Sequence, residues 1–131
     1  MTARILQPKG WAAPRGYSNG VSASGRMIFV SGMIGWDAGA RLVPGDLVAQ
    51  ARQALLNIVA VLAEDGATAA HLVRLTWFVT DRAEYLRLAE PLGAAYREAI
   101  GRHFPAMSVV EVSALVERDA IVEIEATAVV P

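Results

Sequence analysis

Cysteine is absent from the 131 residues, and histidine occurs only twice, as His71 and His103. The first absence removes disulfides, thiolate zinc sites and cysteine nucleophiles together. Two histidines fall short of most histidine-rich metal sites. Neither sign of charge dominates: 12 basic residues face 13 acidic ones, for a net charge of −1. Electrostatic capture of a nucleic-acid backbone normally needs a basic excess, so no nucleic-acid partner is expected. Long hydrophobic runs are also missing. The longest, from Ile58 to Ala63, is far short of the roughly 18 residues of a membrane helix, so no membrane partner is expected either. The opening residues Met1 to Pro8 lack the apolar stretch of a secretory signal, which makes the cytoplasm the default location.

The chain is nonetheless rich in core material, with 54% hydrophobic residues against 19% charged, and its length suits one domain over 1–131. A domain this short has little interior, so an apolar surplus points to a subunit interface and an oligomer.

A lead-in punctuated by Pro, Gly and Ala runs to Pro14, with one short strand near Ala3–Gln7. Two β-prone runs, Gly20–Ser24 and Met27–Ser31, flank Ser24-Gly25-Arg26, which reads as a hairpin turn. Gly32 to Pro44 holds three glycines and the pair Trp36-Asp37, and is a loop. Asp46 is placed to cap a helix in which Leu47, Ala51, Leu55, Ile58, Val59 and Leu62 recur at helical spacing, with Gly66 closing it. Gln50, Arg52, Gln53, Asn57 and Glu64 fall largely on its other faces.

Val73, Leu75, Trp77 and Val79 alternate with Arg74, Thr76, Phe78 and Thr80, as in a strand with one apolar face. Asp81 to Glu84 has capping-box spacing before a second helix. Pro91 falls inside that helix, so a kink is expected, or two pieces with Pro91 in the first turn of the second. Strands over Met107–Val112 and Ile121–Val129 complete the chain. The resulting class is α+β: six strands in a mostly antiparallel sheet, two helices on one face, and the other face left for oligomerisation.

Few residues single themselves out as chemistry. In the last strand, alternation sets Glu123, Glu125 and Thr127 opposite Val122, Ile124 and Ala126. A solvated polar face is the plain interpretation; a carboxylate desolvated in an intersubunit cleft, holding water or accepting a proton, is the functional one. Glu111 on the preceding strand is a candidate to face that pair. Tyr17, in the polar stretch Arg15 to Gly20, either presents its phenol to a pocket or packs at a sheet edge. Trp36 is more simply a loop residue covering core, while His103 and Arg102 suit a helix C-terminus and His71 the surface. No phosphate-binding glycine loop and no GxSxG elbow is present.

Six segments together resemble the Rid (reactive intermediate deaminase, or YjgF-like) family. They are Gly16-Tyr-Ser-Asn19, Phe29-Val-Ser-Gly-Met-Ile34, Gln50 to Ile58, Val73 to Asp81, Phe104-Pro-Ala-Met-Ser-Val-Val-Glu-Val112, and Val122-Glu-Ile-Glu-Ala126. They run in order over about residues 14 to 129. The resemblance implies a chorismate-mutase-like fold, a homotrimer with small-molecule clefts between subunits, and hydrolysis of reactive enamines and imines to oxo acids and ammonia with no metal or organic cofactor. Carried over by position, it implies that Tyr17 and Glu123 are catalytic, with Glu123 orienting the water. Ser31 and Gly32 would line the substrate site, with Met107 and Val109 at its floor.

This chain also departs from the family pattern. Met107 stands where the archetype has an arginine that grips the substrate carboxylate, Val109 where it has cysteine, Ala89 where many have asparagine, and Met33 where glutamine is usual. A thioether cannot replace a bidentate guanidinium. A divergent branch with a more apolar pocket is therefore implied, acting on a bulkier or less carboxylate-dependent imine, with Arg15 or Arg102 as a relocated anion anchor. The alternatives are a ligand-binding trimer without chemistry and, disfavoured by the charge balance, RNA cleavage.

Overall fold

The computed structural model describes residues 3–131; Met1 and Thr2 of the lead-in lie outside the described residues. The chain runs β1 (Arg4–Leu6), β2 (Gly20–Ser22), β3 (Arg26–Met33), α1 (Leu47–Ala63), β4 (Leu72–Val79), α2 (Arg82–Arg87), α3 (Ala89–Ala99), β5 (Ala106–Glu111) and β6 (Val122–Val130). A short 3-10 turn, Ala69–His71, leads into β4.

The expected order of elements holds, but the six strands do not form one sheet. Four make a sheet in the order β3-β6-β4-β5, and β1 and β2 pair separately as a ribbon. In the four-stranded sheet the edge pair β4–β5 is parallel, and β6 runs antiparallel to both of its neighbours. The expected hairpin at Ser24-Gly25-Arg26 is therefore a divergence, with β2 joining β1 and β3 joining β6. Gly25 makes the turn possible. Its φ is +144°, and a Cβ there would lie 2.8 Å from the Val130 carbonyl carbon.

One face of the sheet is covered by α1 and α3. Leu55, Ile58 and Leu62 of α1 are fully buried with Leu75 and Val79 of β4 and Val122 and Ile124 of β6, as the helical and two-residue periodicities require. Asp46 caps α1 by accepting hydrogen bonds from the amides of Val48 and Ala49 at 3.0 and 3.3 Å. Gly66, at φ +73°, follows the helix end. The second helix is broken before Pro91, which occupies the first turn of α3, where its missing N–H costs no intrahelical bond.

Two polar expectations are corrected. Gln50 is buried rather than on an outer face: Nε2 donates to the Asp119 carbonyl at 3.2 Å and Oε1 accepts from the Ile121 amide at 3.0 Å. It staples α1 to the segment entering β6. The capping box at Asp81 is half made. Asp81 accepts from the Glu84 amide at 3.1 Å, but the Glu84 carboxylate turns to Arg87 at 2.7 Å instead of reaching back.

Among the described residues, no helix covers the other face of the sheet. Phe29 is 70% exposed, Met27 56% and Val110 43%. This is a large apolar presence on an open sheet surface.

Candidate functional site: a cleft beside β5 and a carboxylate on the opposite sheet face

Between β5 and the helices α2 and α3 lies a cleft of about 550 Å³. Its floor is Met107 and Val109 with Trp77 of β4, and its helix wall includes Tyr85, Ala89, Leu92 and Tyr96. The parallel register explains the floor. Met107 pairs with Leu75 and Val109 with Trp77, so both point to the helix-covered face, but on an edge strand that the helices do not fully roof.

Tyr17 closes one side. The residue after it, Ser18, is buried and tethered to β5, its amide donating to the Pro105 carbonyl at 3.0 Å and its hydroxyl to the Phe104 carbonyl. The polar stretch Arg15 to Tyr17 is thereby pinned against the start of β5. Tyr17 itself is 42% exposed.

Aromatic packing stiffens the cleft. Trp77 and Tyr85 meet edge-on with ring centroids 6.2 Å apart. Tyr96 stacks on Phe104 at 5.6 Å, and its hydroxyl donates to the His103 carbonyl at 2.6 Å. His103 is structural, but through the start of β4 and not through the helix C-terminus considered for it: Nε2 donates to the Leu72 carbonyl at 2.7 Å. Burial pushes both the Tyr85 and the Tyr96 phenols above the ordinary range, so both stay protonated in mildly alkaline solution.

Glu123 belongs to the other side of the sheet. Antiparallel register sets it opposite Phe78, with Val110 next in line, whereas Ile124, Trp77 and Val109 form the neighbouring rung on the helix side. Two strand spacings, about 10 Å, and the thickness of the sheet separate its carboxylate from Val109. Gly32 is fitted against it: a Cβ at Gly32 would lie 2.6 Å from Glu123 Cδ. Ser31 is exposed next to it in β3. Glu123, Gly32 and Ser31 thus gather on the open face, while Tyr17, Met107 and Val109 gather in the cleft.

Glu111 does not face Glu123, because β4 lies between β5 and β6. Its carboxylate instead accepts from the Arg82 amide at the start of α2, at 2.7 Å. Of the two arginines considered as anion anchors, Arg15 lines the cleft and Arg102 does not. Sequence reasoning missed Arg97 of α3, which also lines it, together with Trp77, Tyr85, Tyr96 and Phe104. Met33 packs against the core and is not among the cleft residues. Among the described residues no group of three His, Asp or Glu side chains is placed to hold a metal ion, and no helix is long and apolar enough to cross a membrane.

Comparison with known proteins decides the family. The family model described as endoribonuclease L-PSP matches residues 9–130. The chain belongs to the Rid/YjgF-like family. It is 43% identical to the protein DfrA of Myxococcus xanthus, over 86% of this chain and 84% of that one. It is 36% identical to the 2-iminobutanoate/2-iminopropanoate deaminase of Escherichia coli K12, over 98% of each chain. Among solved structures, a Rid-family protein, YyfB, from Yersinia pestis, superimposes with a TM-score of 0.84 at 36% identity, over 99% of this chain and 100% of that one.

Proposed function

We propose that this Rid-family protein is a cytoplasmic, metal-independent deaminase that hydrolyses a reactive imine or enamine to an oxo compound and ammonia. The working site would combine the cleft of one protomer with the Glu123 face of another in a homotrimer. The observation that carries this reading is the division of the candidate residues between two faces of one sheet. Met107 and Val109 open to the cleft on one sheet face while the same chain's Glu123 lies on the other, which supports a second copy bringing its open face to the cleft. The exposed apolar side chains of that face, Phe29 above all, support such packing. The relative named as an imine deaminase supports the chemistry.

The reaction asks little of a protein. An imine carbon is already electrophilic, so one held water and a place for its proton suffice. In the proposed step Glu123 accepts a proton as the water oxygen bonds to the imine carbon. Glu123 passes that proton to the nitrogen, giving the carbinolamine. The hydroxyl proton then moves to the nitrogen as the C–N bond breaks and the C=O bond forms, so ammonia leaves with the oxo compound and Glu123 is again ionised. Tyr17 donates a hydrogen bond at the reacting centre, and the backbone of Ser31 and Gly32 borders it. Only water is consumed.

The test is ammonia and oxo-acid release from a panel of freshly generated imines. Wild type should accelerate release, and Glu123→Gln should lower that acceleration by about 10²-fold or more. Absence of acceleration on every imine, from protein shown to be folded and trimeric, would overturn the reading. Met107 in place of a carboxylate-gripping arginine would then favour a small-molecule-binding trimer with a regulatory role.

A further inference from the structure

The cleft has a composition that selects its occupant. Five aromatic residues (Tyr17, Trp77, Tyr85, Tyr96 and Phe104) line it, and so do two arginines, Arg15 and Arg97, but no acidic residue. Among the described residues, neither arginine belongs to any of the ion pairs, which join Arg26 to Asp65, Arg41 to Asp37, Arg52 to Glu98 and Arg87 to Glu84. Arg97 lies one helical turn after Gly93, which also lines the cleft. A Cβ at Gly93 would come within 3.2 Å of an Arg97 guanidinium nitrogen, so the missing side chain leaves the guanidinium room to lie along the cleft wall. One further group lacks a partner. The indole Nε1 of Trp77 is the one buried side-chain nitrogen or oxygen without a hydrogen bond among the described residues, and Trp77 is only 3% exposed. A buried donor left unpaired is costly, and a ligand acceptor or a water is the usual remedy.

We infer that the cleft takes an imino acid with a flat aromatic or bulky branched side chain, whose carboxylate is held by Arg97 with Arg15 at the mouth. The side chain lies against Tyr85, Tyr96 and the Met107 thioether. This names the substrate class of the proposed site and rests on that reading. A guanidinium reads a carboxylate through two parallel N–H bonds, and a wall of aromatic faces and thioether suits a flat apolar body more than a two- or three-carbon chain. About 550 Å³ lies within the usual range of small-molecule pockets, roughly 300–1,000 Å³.

Binding of stable oxo-acid products separates this inference from catalysis. Phenylpyruvate, 2-oxobutanoate and the carboxylate-free phenylacetone are titrated into the purified protein by calorimetry. Phenylpyruvate should bind at least about tenfold more tightly than either of the other two. Arg97→Met should weaken phenylpyruvate by about tenfold or more while leaving phenylacetone within about twofold, and Arg97→Lys should recover part of the loss. Equal affinity for phenylpyruvate and 2-oxobutanoate would overturn the inference. So would phenylpyruvate binding that neither Arg97→Met nor Arg15→Met weakens. Arg97-dependent binding by a protein that hydrolyses no imine would uphold the ligand class while removing the deaminase reading.

Discussion

The two faces of the four-stranded sheet are made by the same strands and have opposite fates. On one, Leu55, Ile58, Leu75 and Val79 lock helix to sheet with no solvent exposure above 1%. On the other, Phe29 and Met27 stand open to water beside Glu123 and Thr127. The closed face gives the fold its stability, and the open face is unfinished. A monomer rarely keeps apolar side chains of that size in the open unless something covers them. The candidate site residues are divided in the same way, the apolar cleft with Met107 and Val109 lying on the closed side and the Glu123 carboxylate on the open side.

That contrast can be broken at either face. The largest effect is expected from Phe29→Asp. The phenylalanine contributes little to its own chain at 70% exposure, so the variant should fold with nearly unchanged thermal stability yet sediment as a monomer and lose imine hydrolysis. Retention of the wild-type assembly would show that this face is not the interface. On the closed side, Leu55→Ala should destabilise by about 2–5 kcal/mol through lost burial and a residual cavity. Its neighbour Leu56, 43% exposed, should tolerate alanine within about 0.5 kcal/mol. Denaturant unfolding of the pair checks whether the closed face carries the stability.

A smaller loss, about 1–3 kcal/mol, is expected from Gln50→Ala, which strands the Ile121 amide that Gln50 now satisfies. Smallest is the alkaline effect of the cleft phenols. Burial raises the pKa of Tyr85 and Tyr96 in the folded protein, so the unfolded chain gives up these protons first. Their contribution to stability is complete below about pH 10, the unfolded phenol value, and is lost as pH rises beyond it. Unfolding curves between pH 8 and 11 should show that decline, and Tyr85→Phe should lessen it.

The sequence made some of this legible. Period-two alternation sorted the faces of β4 and β6, and helical spacing with Asp46 and Gly66 marked α1. Both signals are local, created by the geometry of a single element. Pairing partners were not legible. Gly25 looks like a hairpin residue until the strands it joins are seen to leave for different sheets, and Glu111 looks paired with Glu123 until β4 is found between them. Gln50 was misassigned because a glutamine is ordinarily solvated, and only the approach of Asp119 and Ile121, about 70 residues away, gives it buried partners. In the site, Tyr17, Met107 and Val109 do converge on one cleft. Arg97 carried no warning: a cation in the last turn of a helix is sufficiently explained by the helix dipole. Its relation to Tyr17 exists only in three dimensions.

The most direct test of a site divided between copies is complementation between two inactive variants. Glu123→Gln removes the carboxylate, and Val109→Trp fills the cleft; each alone should be inactive. Denatured and refolded together in equal amounts, they should form mixed trimers, verified by native mass spectrometry, in which one of three sites has both halves intact. Random assembly then predicts recovery to about a quarter of wild-type activity. Mixed trimers that recover nothing would contradict the account, because they would show that no active site is built from the cleft of one copy and the Glu123 of another.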